Sequence, residues 1–129
     1  MPEKPKYYIT TAIYYVNDVP HLGHALEVIG TDVQARYRRM TGHDVLFLTG
    51  TDEHGQKVAG MALEKGVEPL EWTNRMASRF QEVFDLLEIS YDDFIRTTEE
   101  RHHRSVQALW SKLFEKGDIY LDKYEGWYD

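Results

Sequence analysis

Apolar side chains change their spacing along the chain, and the change predicts strands that alternate with helices. Residues 7–16 are rich in aromatic and β-branched side chains and residues 45–49 form a short apolar run, so both segments are typical of buried strands. From Gly23 onward apolar residues recur every three or four positions, which predicts an amphipathic helix that ends before Gly42. Its apolar face consists of Leu26, Ile29, Val33, Tyr37 and Met40.

Two more helices are predicted after the second strand. Residues 56–65 have the pattern of a short helix stopped by Gly66, and Pro69 suits the first turn of a longer helix. The longer helix has an apolar face made of Trp72, Met76, Phe80, Val83, Phe84 and Leu87.

The remaining pattern predicts a third strand and a last helix. Residues 94–98 are typical of a short strand, and Thr97 and Glu100 have the spacing of a capping box. The helix that follows ends at Gly117, and residues 118–129 are expected to be extended. Strands alternating with helices predict an α/β fold, with parallel strands joined by right-handed crossovers and flanked by helices.

Composition narrows the possible functions. The chain has 129 residues, no cysteine and a formal net charge of −7. Without cysteine there are no disulfides and no thiolate zinc sites, which is compatible with a cytoplasmic protein. The negative charge disfavours general binding to nucleic acids, because that affinity comes from Lys and Arg. No apolar run is long enough for a membrane helix.

Two loops are expected to meet at the carboxyl ends of the parallel strands, where ligands bind in open α/β sheets. One loop carries His21 and His24, and the other carries Asp52, Glu53 and His54. If the two strands are neighbours, these five titratable side chains share one crevice. Tyr14 and Tyr15 alternate across the first strand, so one of them faces the core and the other reaches the crevice.

The histidine pair allows three interpretations. A helix N-terminus binds anions through its free N–H groups, Gly23 permits close approach of a ligand, and imidazoles add donors, so phosphate binding is one. Metal binding is the second, because His21 and His24 can share a helical face with Asp52 or Glu53 as a third ligand. In the third, His21 only caps the helix while His24 packs or is solvated.

Other charged residues have competing interpretations. Asp52 can bind an ammonium group by charge-assisted hydrogen bonds, or simply form the turn in the stretch GTD. Gly50 and Gly55 are spaced as in a phosphate loop, but Gln56 occupies the position of the required Lys. The arginines Arg36, Arg38 and Arg39 are expected to form a solvated helix face.

Several sequence blocks, taken together, resemble the start of methionyl-tRNA synthetases, a class I aminoacyl-tRNA synthetase family. The stretch HLGH at residues 21–24 matches the class signature His-Ile/Leu-Gly-His. The stretches FLTGTDEHGQK and YDDFIRTT match further family blocks, and GDIYLDKYEGWYD resembles the entry to the inserted connective domain. The resemblance covers nearly the whole chain and implies the first half of a Rossmann-like nucleotide-binding fold in residues 1–117, followed by the start of the connective insertion in residues 118–129.

The resemblance also implies a reaction and its site. ATP, with Mg²⁺, and methionine would give methionyl-adenylate and pyrophosphate, and the methionyl group would then pass to tRNA(Met). The residues matching the ATP site are His21, Gly23, His24 and Glu27, and the two histidines would act in catalysis. The residues matching the methionine site are Ala12, Ile13, Tyr15 and Asp52.

The chain also departs from the family pattern. The second signature, Lys-Met-Ser-Lys-Ser, does not occur in it, so we expect a fragment of a longer protein that turns over poorly alone. Ala12 stands where many relatives carry Pro. Asp129 stands where zinc-binding members carry Cys, so no zinc is expected in this chain: it resembles a zinc-free branch of the family, or the zinc-binding segment is absent from it. A non-catalytic nucleotide-binding or partner-binding module, and a metal-binding domain on His21, His24 and Asp52, are the alternative functions.

Overall fold

The computed structural model describes residues 3–123, 125 and 126, in which two strands precede the first helix and two helices lie between the last two strands. The strands are β1 (Lys6–Thr10), β2 (Tyr14–Tyr15), β3 (Asp44–Asp52) and β4 (Asp93–Arg96). The helices are α1 (Leu22–Met40), α2 (Gln56–Glu64), α3 (Pro69–Leu86) and α4 (Glu100–Lys116). Every strand pairing is parallel, so the predicted α/β class with parallel strands is confirmed.

Strand β3 lies at the centre of the sheet. Its residue Leu48 pairs with both Thr10 and Asp93, and its residue Thr51 pairs with both Tyr14 and Arg96. Strands β1 and β2 therefore share one edge of β3, and β4 occupies the other. The single strand predicted over residues 7–16 is interrupted, because four steps from Thr10 to Tyr14 face three steps from Leu48 to Thr51. The extra residue makes a β-bulge.

The bulge is fixed by hydrogen bonds to β3 and α1. The Thr11 N–H donates to the Leu48 carbonyl at 3.3 Å. The Thr11 hydroxyl donates to the Ala12 carbonyl at 2.6 Å, so it accepts from the Thr49 hydroxyl at 2.7 Å. The Ala12 N–H leaves the ladder and donates to Oε1 of Glu27 at 2.9 Å. Helix α1 thus holds the bulged segment in place.

The apolar core is built on residues of the sheet and of helices α1, α2 and α3. The largest fully buried apolar side chains are Phe47, Phe80, Phe84, Val16 and Val28. The indole N–H of Trp72 donates to the Val16 carbonyl at 2.8 Å, which ties α3 to the end of β2. Pro69 occupies the first turn of α3, as predicted.

Helix α1 does not bury the apolar face that its sequence presents. Leu26 is 78% exposed and Met40 is 85% exposed, whereas the buried residues are Val28, Asp32 and Ala35. Asp32 tolerates burial because its carboxylate accepts the Ser90 N–H at 2.8 Å and the Arg36 Nε–H at 2.6 Å. Burial raises the pKa of Asp32, but these hydrogen bonds outweigh it and hold the pKa below its usual value.

The arginines of α1 form the solvated face that the sequence predicts only in part. Arg39 donates to the Ser90 hydroxyl at 2.6 Å and to the Asp92 carboxylate at 2.7 Å. Arg36 donates to the Glu88 carbonyl besides its bond to Asp32, and the Arg38 guanidinium lies 4.7 Å from the centroid of the Tyr7 ring. The prediction is wrong for Arg38 and Arg39, whose side chains are partly buried against neighbouring segments, whereas the Arg36 side chain is exposed as predicted.

The chain divides into two compact units, one up to Thr98 and one from Glu99. In the second unit α4 follows Glu99, which makes no side-chain cap, and ends at Gly117 in the left-handed conformation at φ 83°. The capping box predicted for Thr97 and Glu100 is wrong, because the Thr97 hydroxyl accepts the Glu53 N–H at 2.8 Å instead.

The end of the chain leaves two predictions open. Residues 120–123, 125 and 126 form no regular element. Positions 124 and 127–129, including Asp129 with its zinc prediction, lie outside the described residues. The domain boundary predicted between 117 and 118 stays a prediction. Among the helices that the structure describes, none is long and apolar enough to cross a membrane.

Gly50 allows β3 and β4 to approach each other closely, and this predicts a stability difference between two glycine substitutions. A Cβ at Gly50 would lie 1.9 Å from the Ile95 carbonyl oxygen, whereas a Cβ at Gly30 in α1 meets no atom within 4 Å. We expect Gly50→Ala to lower the free energy of unfolding by about 2–3 kcal/mol through forced displacement of β4. Gly30→Ala is expected to raise it by about 0.5–1 kcal/mol, because alanine favours the helix.

Urea denaturation followed by circular dichroism measures both values. Equal stability of Gly50→Ala and the unsubstituted chain would contradict the close approach of the two strands.

Candidate functional site

Two histidines cap the N-terminus of α1 reciprocally. His21 is the N-cap residue, and its Nδ1 accepts the Gly23 N–H at 3.1 Å. The Nδ1 of His24 in turn accepts the His21 N–H at 3.1 Å. The same pattern occurs in capping boxes made by Ser or Thr with Glu, where two free N–H groups are satisfied at once. Capping is therefore present, and it involves both histidines.

The cap determines the tautomer of each imidazole. Because a backbone N–H can only donate, each Nδ1 is unprotonated and each ring in its neutral form carries its hydrogen on Nε2. The Nε2–H groups of His21 and His24 remain as donors for a ligand. Capping and phosphate binding are thus compatible, because they use different nitrogens of the same rings.

The two imidazole rings lie in a fixed stack beside aromatic side chains. The centroids of His21 and His24 are 3.8 Å apart at an interplanar angle of 20°. The His24 ring also contacts Tyr14 and Phe80 in edge-to-face geometry. Burial lowers the pKa of His24, the neighbouring His21 lowers it further and Glu27 opposes both, so the neutral form is favoured.

A cleft of about 580 Å³ lies along the two histidines. Tyr15 projects outward at the cleft with 60% of its surface exposed, whereas Tyr14 is buried, as the alternation predicted. The residues lining the cleft are Ala12, Ile13, Tyr14, Tyr15, Asn17, Asp18, Val19, His21 and His24. The structure thus places five of the eight predicted site residues around one cavity.

Gly23 and Glu27, both in α1, help to hold the residues that line this cleft. A Cβ at Gly23 would lie 2.9 Å from Cε1 of His21, so glycine is needed for the His21 ring to lie against the backbone. Glu27 is exposed and accepts the Ala12 N–H, so it holds the bulged segment that lines the cleft. Neither role follows from the spacing of these residues in the sequence.

Asp52 ends β3 directly beside Tyr15, its partner in the β2–β3 register. Its carboxylate is half-buried and makes no hydrogen bond or ion pair to any residue that the structure describes. Asp52 does not line the histidine cleft, but Tyr15 borders both that cleft and a second cavity of about 310 Å³. The second cavity is also lined by His54, Gly55, Gln56, Lys57 and Val58.

Glu53 does not join the crevice, and the prediction that it does is wrong. Successive residues of an extended strand point to opposite faces, so Glu53 turns away from the face of Asp52. Its side chain is 0% exposed and accepts two hydrogen bonds from Arg96, at 2.6 and 2.9 Å. The hydroxyls of Thr51 and Thr98 also donate to it. Burial raises the pKa of Glu53, but Arg96 and the two threonines outweigh burial and lower it.

The geometry gives no support to a metal centre. Within residues 3–123, 125 and 126, no group of three His, Asp or Glu side chains is placed to hold a metal ion. Both Nδ1 atoms of the histidine pair are already engaged by backbone N–H groups.

Sequence reasoning missed the ring contacts of Tyr14 and Phe80 with His24. Both residues were identified only as apolar positions of a strand and a helix. Periodicity separates buried from exposed faces but does not show which buried ring touches a functional side chain.

The chain belongs to the class I tRNA synthetases. The family model described as tRNA synthetases class I (M) matches residues 7–129.

The chain is similar to methionine–tRNA ligases of several bacteria. The chain is 55% identical over 122 residues to the methionine–tRNA ligase of Rickettsia bellii and 52% identical over 128 residues to that of Rhizobium meliloti. These matches cover 95% and 99% of this chain. A solved structure of Mycobacterium tuberculosis methionyl-tRNA synthetase in complex with methionyl-adenylate superposes with a TM-score of 0.92 at 51% identity over 96% of this chain. The match confirms the Rossmann-like interpretation of the fold.

The chain is much shorter than these proteins. It spans 24% of the Rickettsia protein, 25% of the Rhizobium protein and 24% of the solved chain.

Glu53 and Glu82 each form an ion pair with an arginine, but only Glu53 is buried, so we expect the two pairs to contribute differently to the free energy of unfolding. Glu53→Gln leaves the Arg96 charge without its partner in a buried site, so we expect the free energy of unfolding to fall by about 3–5 kcal/mol. Glu82→Gln breaks an exposed ion pair, in which the Glu82 side chain is 61% exposed and the Arg79 side chain is 62% exposed. It should lower the free energy of unfolding by less than about 0.5 kcal/mol. Urea denaturation at neutral pH measures both.

The cost of Glu53→Gln is also expected to depend on pH. The pKa of Glu53 is lowered by folding, so its stabilisation is complete above the unfolded value of 4.5 and is lost as the pH falls through the folded value. The difference in the free energy of unfolding between the unsubstituted chain and Glu53→Gln should therefore become smaller in acid. A difference that stays constant down to strongly acidic pH would contradict the lowered pKa of Glu53.

Proposed function

We propose that this chain forms the ATP-phosphate and methionine subsites of a methionine–tRNA ligase. The observation that carries the proposal is the reciprocal histidine cap, which leaves two Nε2–H donors at a helix N-terminus beside an open cleft. The family match, and the methionyl-adenylate held by the solved Mycobacterium relative, support the same ligand chemistry.

The ATP side of the proposed site consists of His21, Gly23, His24 and Glu27. The α1 N-terminus provides the positive end of the helix dipole, and the imidazoles provide directional donors for phosphate oxygens. Because both rings are held by the cap, they need no reorganisation when negative charge develops on the phosphate in the transition state. Mg²⁺ would arrive with ATP, as part of the substrate.

The methionine side of the proposed site consists of Ala12, Ile13, Tyr15 and Asp52. The half-buried Asp52 carboxylate suits an ammonium group, since charge-assisted hydrogen bonds are strong. The exposed Tyr15 ring offers a surface on which a thioether packs favourably. Ala12 and Ile13 present the bulged strand end next to both.

In the proposed reaction a methionine carboxylate oxygen attacks the α-phosphorus of ATP, and the bond to pyrophosphate breaks. A ribose hydroxyl of tRNA(Met) then attacks the methionyl carbonyl, the anhydride bond breaks, and AMP leaves. With a net charge of −7, this chain is expected to leave most tRNA contacts to other parts of the complete gene product. We propose a cytoplasmic location, in keeping with the absence of cysteine.

Replacing His24 with asparagine separates capping from phosphate contact. The asparagine carbonyl can replace Nδ1 as acceptor for the His21 N–H, but the Nε2–H donor is lost. We expect methionine-dependent ATP–pyrophosphate exchange by the complete gene product to fall about 100-fold or more, with thermal stability retained. His43→Asn, beyond the opposite end of α1, is the matched control and should leave exchange unchanged.

Unchanged exchange in His24→Asn would rule out the phosphate role of His24. An absence of methionine-dependent exchange in the unsubstituted, folded protein would instead favour the non-catalytic nucleotide-binding module.

Asp52 is predicted to act on methionine and not on ATP. Asp52→Asn removes the charge that would face the ammonium group, so the KM for methionine should rise by about 10- to 100-fold while the KM for ATP stays the same. Asp44→Asn, at the opposite end of β3, is the control. The assignment fails if the two KM values change together or if neither changes.

A further inference from the structure

The imidazole of His24 is enclosed by two buried aromatic rings that have no part in the proposed chemistry. The His24 centroid lies 4.9 Å from the Tyr14 ring and 5.0 Å from the Phe80 ring, with interplanar angles of 64° and 61°. Tyr14 is 4% exposed and Phe80 is fully buried. These two rings stack on each other at 5.5 Å and 7°, so they form one rigid surface against His24.

This surface joins two elements that are far apart in sequence. Tyr14 belongs to β2, directly after the bulge, and Phe80 belongs to α3. The His24 ring is further confined by the stack with His21 and by its hydrogen bond to the His21 N–H. Rotation of the His24 side chain would break the hydrogen bond and leave a void against the two aromatic rings.

We propose that Tyr14 and Phe80 are positioning residues, which hold His24 in the orientation where Nδ1 caps α1 and Nε2–H faces the cleft. Which ligand the Nε2–H group of His24 binds depends on the function proposed above, whereas the orientation of the His24 ring does not. Strand β2 and helix α3 thereby both contact His24 through packed rings.

The Tyr14 ring, and not its hydroxyl, contributes this effect. The hydroxyl is buried and makes no hydrogen bond of normal geometry to a described residue, although Thr11 and Glu27 lie near enough to influence its pKa. Burial raises the pKa of Tyr14 to about 12, so the group stays protonated. Removing the hydroxyl alone should therefore leave His24 unaffected, whereas removing the ring should release it.

Nitrogen-15 NMR of the histidine side chains tests the proposal on this chain without any ligand, because the shifts of Nδ1 and Nε2 report the tautomer. We expect Nε2–H for His24 in the unsubstituted chain and in Tyr14→Phe. In Tyr14→Leu and Phe80→Leu we expect a mixture of tautomers and a titration midpoint that moves up toward 6.5. The titratable groups facing His24 are His21, Glu27 and Tyr14, and all but Tyr14 are kept in both variants.

Phe84→Leu is the matched control for a general loss of core packing. Phe84 is fully buried and contacts Tyr14 and Phe80 at 6.0 and 6.2 Å, and no ring contact joins it to His24 among the described residues. The substitution Phe84→Leu should therefore destabilise the fold without changing the His24 tautomer. An unchanged tautomer in both Tyr14→Leu and Phe80→Leu, or an equal change in Phe84→Leu, would overturn the proposal.

Kinetics of the complete gene product give a second, separate readout. In Tyr14→Leu the kcat of ATP–pyrophosphate exchange should fall about 10- to 100-fold, and Tyr14→Phe should restore it. A changed tautomer with unchanged kcat supports the positioning role and counts against the phosphate role of His24. A lower kcat with an unchanged tautomer contradicts the positioning role.

Discussion

The reciprocal hydrogen bonds between His21 and His24 are the constraint on which the site depends. They satisfy two backbone N–H groups at the start of α1, and they fix which nitrogen of each ring remains available to a ligand. Gly23 is part of the same constraint, because any side chain there would meet the His21 ring. A short signature of four residues thus builds a helix cap and a pair of oriented donors with the same atoms.

The sheet supports this arrangement through the bulge between β1 and β2. The extra residue allows Tyr14 to enter the core under His24 while Tyr15 points outward beside Asp52. Glu27 of α1 accepts the Ala12 N–H and so joins α1 to the bulged segment. One irregularity in a strand therefore links the helix that carries the histidines to the strand end proposed for methionine.

The alternation of strands and helices and the loops that meet beyond the strand ends were predictable from the sequence, because both follow from apolar periodicity and turn residues. The bulge was not, because residues 7–16 are uniformly apolar or β-branched and show no break. The burial of Asp32 and Glu53 was not predictable either, because it depends on distant donors, Ser90 and Arg96. The side that α1 buries is set by such polar contacts and not by its most apolar face.

The central claim is that capping and phosphate binding use different nitrogens of the same two histidines. Nitrogen-15 NMR of the histidine side chains during addition of ATP to the complete gene product tests it directly. We expect the Nε2 signals of His21 and His24 to shift on addition of ATP while both Nδ1 signals stay at the values of unprotonated acceptors. Shifts at Nδ1, or no response at either Nε2, would contradict it.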